Sequence, residues 1–396
     1  MRVQDVTRSI LAGSLLAACL LPAQALAQSD LETSVTAQYR VRGEVDRRFG
    51  DTTGAFVTHR ARIGLAADAG DWRVYIEPQD VRAWGSEAST VSHEALVDLH
   101  QGYAQWTGSE ALNIRVGRQS VAHLNQRIIG GLDWAQTGRS FDAVRGYGSI
   151  DKVDWSLFAA PLDFDGERGN RDAAVTAGLV QWTNAGRTLA ALGVGDANRD
   201  AGLYRWTVGP YSSGRIIGDL TYEVEGYWQT GHAQGESFDA WFYHGELGYT
   251  ASDLPGSPAL RAGYSVASGE TDTFTSFDTL YATNHKFYGY MDVFLALPAH
   301  TGGLGLRNGY AGVSAQADAV HTEIVVHRLT AAPGNSGVFG TEVDWVTTWT
   351  LQRGVALQAG VSTLFSGEAY DVVRPQAADA PEVPYWGYVM LNASMF

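Results

Sequence analysis

The 396-residue chain sets 43 Asp and Glu against 28 Lys and Arg, a formal net charge of −15, and holds a single cysteine. That acidity argues against nucleic acid as a partner. One cysteine excludes an internal disulfide, and because it is Cys19, removal of an N-terminal signal would exclude a thiolate metal site as well.

The N-terminus reads as a secretory signal. MRVQDVTRS supplies Arg2 and Arg8, ILAGSLLAACLL is apolar, and Ala25-Leu26-Ala27 is an A-x-A cleavage site. The expected mature chain therefore begins near Gln28, and residues 28–396 form one domain. LAAC (Leu16–Cys19) also fits a lipid-attachment box, but apolar residues follow Cys19, which favours plain cleavage. No later run approaches the ~20 apolar residues of a spanning helix. An exported chain of this kind is secreted, periplasmic or a membrane β-barrel. Its 46 Gly, 18 Tyr and 12 Trp suit a barrel with aromatic girdles.

Period-two alternation begins once the signal ends. In ETSVTAQYRVRGEV, Val35, Ala37, Tyr39 and Val41 oppose Thr36, Gln38, Arg40, Arg42 and Glu44. HRARIGLAA sets Ala61, Ile63 and Leu65 against Arg60 and Arg62, and DWRVYIE sets Trp72, Val74 and Ile76 against Arg73, Tyr75 and Glu77. Strands are expected near 33–45, 56–67, 72–78, 97–106, 112–118, 141–149, 153–160, 173–183 and 188–195. The second half adds 203–212, 218–229, 238–250, 259–267, 307–316, 320–330, 340–352, 355–366 and 384–396.

Connections on one side are tight and polar: AGDW, TGSEA, IDK, NAGR, QAD and RG. On the other they are long: 79–96, 119–140, 161–172, 268–306 and 367–383. This asymmetry marks an all-β, transmembrane, antiparallel up-and-down barrel, with the short turns periplasmic. Eighteen strands is the best count within a range of 16–18, and an even count puts both termini on the periplasmic side. HKFYGYMDVFLALP (His285–Pro298) has strand-like composition but is placed in a long loop. The terminal VMLNASMF suits a last barrel strand, yet counting back by twos from Phe396 meets Ser394 and Asn392, where apolar residues are expected.

No catalytic signature is present: no G-x-S-x-G, H-E-x-x-H or P-loop. His321 and His327 lie about 20 Å apart along one strand, too far to share an ion. Glu223 and Glu225 share a face at a spacing a paired-carboxylate hydrolase would use, though a lumen wall carries such pairs routinely. Neither cofactor nor metal is expected.

Arginine outnumbers lysine 26 to 2. Arg40, Arg42, Arg60, Arg62, Arg73 and Arg115 all fall on polar faces of neighbouring strands. Three explanations compete: ordinary solvation, ion pairing with Glu44, Glu77 and Asp98, or attraction of an anionic permeant. Residues 40–145 balance at 13 basic and 13 acidic side chains, which favours partial pairing, whereas residues 146–396 hold 13 against 27. In DWAQTGRSFDAVRG (Asp133–Gly146), Asp133, Arg139 and Asp142 are expected to form an ion-pair network around an inward loop. Trp134 would pack that loop on the wall, Gly138 would allow sharp re-entry, and Arg145 would face the lumen if Val144 meets lipid.

QDVRAWG, DLHQGYAQW, LNIRVGRQ and NQRIIGGLDWAQTGRSFDAVRG follow in an order and spacing that resemble the alginate-export family of outer-membrane proteins, as does FDTLYATNHKFYGYMDVF (Phe277–Phe294). The resemblance is strongest over about 35–150 and 277–312. It implies an eighteen-stranded barrel in the bacterial outer membrane, surrounded by lipid. It further implies an arginine-rich pore that passes an anionic uronate polysaccharide outward, without catalysis and with periplasmic secretion-complex proteins as partners. By position, that pore-lining role carries to Arg40, Arg60, Arg62, Arg73, Arg115, Arg139 and Arg145. A porin for small solutes and an outer-membrane hydrolase acting on lipid or polysaccharide are the alternatives. The acidic second half departs from the pattern: if those acids line the lumen, a different or smaller solute is expected in place of the polyanion.

Overall fold

A computed structural model describes residues 31–49, 52–87, 97–163, 173–370 and 383–395. The expected signal segment, Cys19 and Phe396 lie outside the described residues. The strands are β1 (Glu32–Arg47), β2 (Gly54–Ala69), β3 (Trp72–Ala83), β4 (Val97–Ser109), β5 (Leu112–Gln119) and β6 (Phe141–Ile150). There follow β7 (Val153–Asp163), β8 (Ala173–Asn184), β9 (Arg187–Asn198), β10 (Leu203–Ile217), β11 (Leu220–Ala233) and β12 (Glu236–Thr250). The last are β13 (Ala259–Ala267), β14 (Leu306–Ala317), β15 (Val320–Thr330), β16 (Val338–Gln352), β17 (Val355–Ser366) and β18 (Tyr385–Met395). Each pairs antiparallel with its sequence neighbours, and β1 pairs β18, which closes the ring. Closure leaves no sheet edge, the condition for strands in hydrocarbon.

The alternation read in the sequence sorts the two faces. Val35, Ile63, Leu65, Val74 and Ile76 point outward and are exposed, while Arg40, Arg42, Arg60 and Arg62 are buried inside. Outward aromatic residues cluster toward both rims: Trp72, Tyr249 and Trp349 at the short-turn end, Trp206 and Trp228 at the other. In β18, Asn392 and Ser394 stand opposite the inward Arg40 and Gln38. The polar residues there are thus the lumen face, and Val389 and Met395 lie on the exposed lipid face. The 285–298 segment is no strand; it lies in a long connection with short 3-10 turns at Asn284–Lys286 and Ala299–Thr301.

The inward face is not uniformly polar. Phe158, Val175, Leu192, Phe242, Phe339 and Leu364 face inward toward the long-loop end and form one apolar cluster with Ile128, Ile129, Phe277, Met291 and Phe294. Those partners come from two loops, 120–140 and 268–305, folded down into the barrel. Side chains that alternation assigns to a wet lumen are therefore buried against loops in half of the barrel.

Candidate functional site

The two loops meet inside the ring and form a constriction. Ile129 and Tyr281 make an isolated parallel bridge. Around it Tyr281 N donates to Ile128 O at 3.0 Å, Gly130 N to Tyr281 O at 2.8 Å and Thr283 N to Gln126 O at 3.0 Å. Arg139 completes the seam: its Nη1 donates to the carbonyls of Gly130 (3.1 Å), Ala282 (3.3 Å) and Tyr281. Burial pulls its pKa below the ordinary guanidinium value, with Tyr281 partly opposing. Arg139 thus stitches loop to loop through backbone oxygens.

One anchor lies on β1 and β2. Arg40 grips the Asp133 carbonyl at 2.6 Å and its carboxylate at 2.9 Å. Arg60 reaches the other carboxylate oxygen at 2.9 Å and Gln38 Oε1 at 2.6 Å. Arg62 donates to Thr137 O at 2.9 Å and Gln79 Oε1 at 3.0 Å, and stands 3.9 Å from Asp133. Three guanidiniums, 0–9 % exposed, converge on one carboxylate that is 68 % exposed. Partial desolvation against the wall would raise the Asp133 pKa, but Arg40 and Arg60 overcome it and hold the carboxyl below its usual range. The lumen therefore meets the acid, with the cations behind it. Gly138 has φ +68°, and a Cβ there would stand 2.7 Å from Arg62 Nη2, so re-entry beside Arg62 requires glycine. Trp134 stacks on His285 at 4.1 Å and lies under Arg42 at 4.5 Å, which joins both loops to the wall.

A second anchor lies on β11, half the ring away. Asn125 Nδ2 donates to Glu223 (2.8 Å) and Glu225 (2.7 Å), and Arg127 Nε to Glu225 at 2.5 Å. Glu223, Glu225 and His244 place ligand-type atoms within 4.8 Å of one another, a grouping invisible in the sequence because His244 sits on β12. Arg127 and Asn125 already engage both carboxylates.

The structure divides the residues expected to form one loop network. Asp133 and Trp134 dock on the wall, Arg139 binds carbonyls, and Asp142 points outward to Arg118 at 3.3 Å. Strand alternation separates Asp142 from the loop, since it shares the lipid-side face with the exposed Val144. Of the acids expected to pair arginines, Glu44 does so with Arg42 at 2.8 Å. Glu77 instead accepts from Tyr75 and Gln101, and Asp98 from the backbone N–H of Leu99.

Toward the short-turn end the wall stays open. Arg73 pairs with Asp68 at 2.6 Å. Arg115 and Arg145 are direct cross-strand partners. Arg115 lies 4.1 Å over Tyr103 and donates to Gln105 at 2.7 Å; Arg145 lies 4.8 Å from Tyr147 and donates to Ser156 at 2.9 Å. Among the described residues neither has a carboxylate partner. Across the lumen, Glu246 and Glu323 share Arg261, and Asp196 and Asp278 share Arg205. These four acids face inward, and each is countered by an arginine.

A family model described as alginate export matches residues 30–296. Among solved structures, OccK2 (OpdF) of Pseudomonas aeruginosa is similar at TM-score 0.68 and 9 % identity, over 92 % of this chain and 98 % of that one. A BenF-like porin from Pseudomonas fluorescens Pf-5 gives TM-score 0.65 and 9 % identity, over 92 % and 98 %. OccK11 (OpdR) of P. aeruginosa gives 0.63 and 13 %, over 95 % and 99 %. At such identities the likeness is one of fold. No curated protein matches. With the eighteen-stranded ring and the matched two thirds of its length, the chain belongs to the alginate export family and is an outer-membrane channel.

Proposed function

We propose that the channel conducts anionic solutes of the uronate type along its basic wall. The observation that carries this reading is the Arg115–Arg145 pair, two adjacent lumen cations with no carboxylate partner among the described residues. Guanidinium groups on tyrosine faces offer planar, paired donors to a sugar carboxylate. The cluster behind Asp133 adds an excess of positive charge at the constriction. No catalytic step belongs to this reading, because Asn125 and Arg127 commit the Glu223–Glu225 pair that a hydrolase would need.

Replacing Arg115 and Arg145 together by Ala should lower the anion-to-cation permeability ratio. It should also weaken oligouronate block about tenfold per arginine removed, the worth of a ~1.5 kcal/mol hydrogen bond to a charged group. Planar-bilayer reversal potentials and block titrations read both, and an unchanged ratio would make these arginines structural. A second reading, a porin for small solutes, is favoured by the fused loops, which narrow the path. Block that vanishes as the oligouronate lengthens would select it.

A further inference from the structure

Two arginines face away from the pore at the long-loop rim. On β14 the buried Leu306 and Asn308 point inward, so Arg307 points outward. On β15 the buried His327 and Leu329 point inward, and Arg328 between them is exposed. Gly309 stands opposite Arg328 and Arg307 opposite Thr330. The arginines are thus diagonal neighbours, about 7–8 Å apart, near enough to reach one phosphate together. Arg307 Nε donates to Ala331 O at 2.6 Å and Arg328 Nη1 to Thr341 Oγ1 at 2.8 Å. Among the described residues their other guanidinium nitrogens have no protein acceptor, and neither arginine has a carboxylate partner. Outward arginines elsewhere on this rim are matched: Arg118 by Asp142, and Arg82 by Asp80 and Glu87. Beside the pair, the exposed Tyr243 and Tyr264 lie 6.5 Å apart, and Trp241 stacks on Tyr243 at 5.5 Å. Such a row marks headgroup depth.

On the same outward face, directly below the arginines, runs an apolar groove of about 540 Å³. Ala262 and Ala311 keep its floor low between Leu247, Leu260, Ile324 and Val326. Val326 is two residues from Arg328, so the groove opens at the charged pair. From Arg328 to Ile324 is about 13 Å along the strand, within the reach of an acyl chain. Charge at the edge of hydrocarbon needs a countercharge, and basic pockets at that depth take lipid head groups. Paired guanidiniums suit phosphate, which they bind through parallel N–H donors. The long loops of a barrel lie outside the cell, where the outer leaflet carries phosphorylated glycolipid. We infer that Arg307 and Arg328 bind a phosphate of a lipid-A-type glycolipid, one acyl chain of which lies in the groove between β12 and β15. Arginines that only snorkel to water need no groove beneath them, and a free anion would leave the groove unused.

The test uses the full barrel, refolded in detergent free of glycolipid and titrated with diphosphorylated lipid A under native mass spectrometry. The wild type should hold one lipid A per barrel, and should bind the dephosphorylated lipid and the deacylated headgroup each at least an order of magnitude more weakly. Arg307→Gln with Arg328→Gln should weaken lipid A binding about tenfold per arginine, as for a lost hydrogen bond to a charged group. Ala311→Trp fills the groove and spares the arginines; it should weaken lipid A and leave headgroup binding unchanged. Both variants should keep heat-modifiable mobility and wild-type conductance, because all three residues face lipid. A wild type without a lipid A adduct would overturn the inference, as would a double variant that binds like the wild type. Equal affinity for the dephosphorylated lipid would leave only apolar adhesion, and equal affinity for the headgroup would leave only an anion site. A dimer that Ala311→Trp dissociates, with no lipid bound, would assign the face to a second copy of the chain.

Discussion

Arg127→Ala is expected to raise single-channel conductance and to make it noisy. Arg127 and Glu225 are 3 % and 0 % exposed, and the guanidinium also lies 3.8 Å over Phe287 of the other loop. Removing one member of a buried pair leaves an uncompensated charge, at a cost of about 3–5 kcal/mol. The loss falls on residues 123–129, the end of the first loop that docks across the lumen. Through the Ile129–Tyr281 bridge it reaches the second loop. Amide exchange over 123–130 and 279–284 should quicken in step with the conductance. Arg127→Ala with Glu225→Ala should be less disruptive than the sum of the single changes, because no lone charge then stays buried. Wild-type conductance and exchange in Arg127→Ala would show that the apolar cluster alone holds the loops.

Asp133→Asn should shift selectivity in the direction opposite to the loss of Arg115 and Arg145. It removes the one acid shared by Arg40, Arg60 and Arg62. Their carbonyl contacts to residues 133–137 remain, so the loop keeps part of its anchor. The constriction gains a full positive charge at its open face, and the anion-to-cation permeability ratio should rise severalfold at low salt. The pH dependence follows from the lowered Asp133 pKa. Its stabilising charge is fully present above the unfolded value of about 3.9 and is lost as pH falls through the lower folded value. Wild type should approach the selectivity of Asp133→Asn only below that ordinary carboxylate range. A ratio unmoved by the substitution would mean that permeants do not sense this cluster.

The fold was legible because a barrel strand writes its geometry locally. Side chains alternate between lipid and interior whatever the partner strands, so Val35–Glu44 and Trp72–Glu77 declare both faces unaided. Ser394 and Asn392 show how a one-residue offset misleads: counted from Phe396 they seem out of phase, but register with Gln38 and Arg40 places them in the lumen. The arginines were legible as to face and not as to role. Arg40, Arg60 and Arg139 meet partners 93, 73 and up to 143 residues away.

The sequence by itself therefore determined an eighteen-stranded barrel and the inward face on which Arg40, Arg42, Arg60 and Arg62 lie, because period-two hydropathy and turn length depend only on near neighbours. Tertiary structure alone decided which charges are spent and which remain. The inward fold of 120–140 and 268–305 brings Asp133 onto three arginines, Arg139 onto carbonyls and Arg127 onto Glu225. It leaves Arg115 and Arg145 without a carboxylate partner among the described residues. Ion pairing depends on distances between residues remote in the chain, and alternation along a strand carries no record of them.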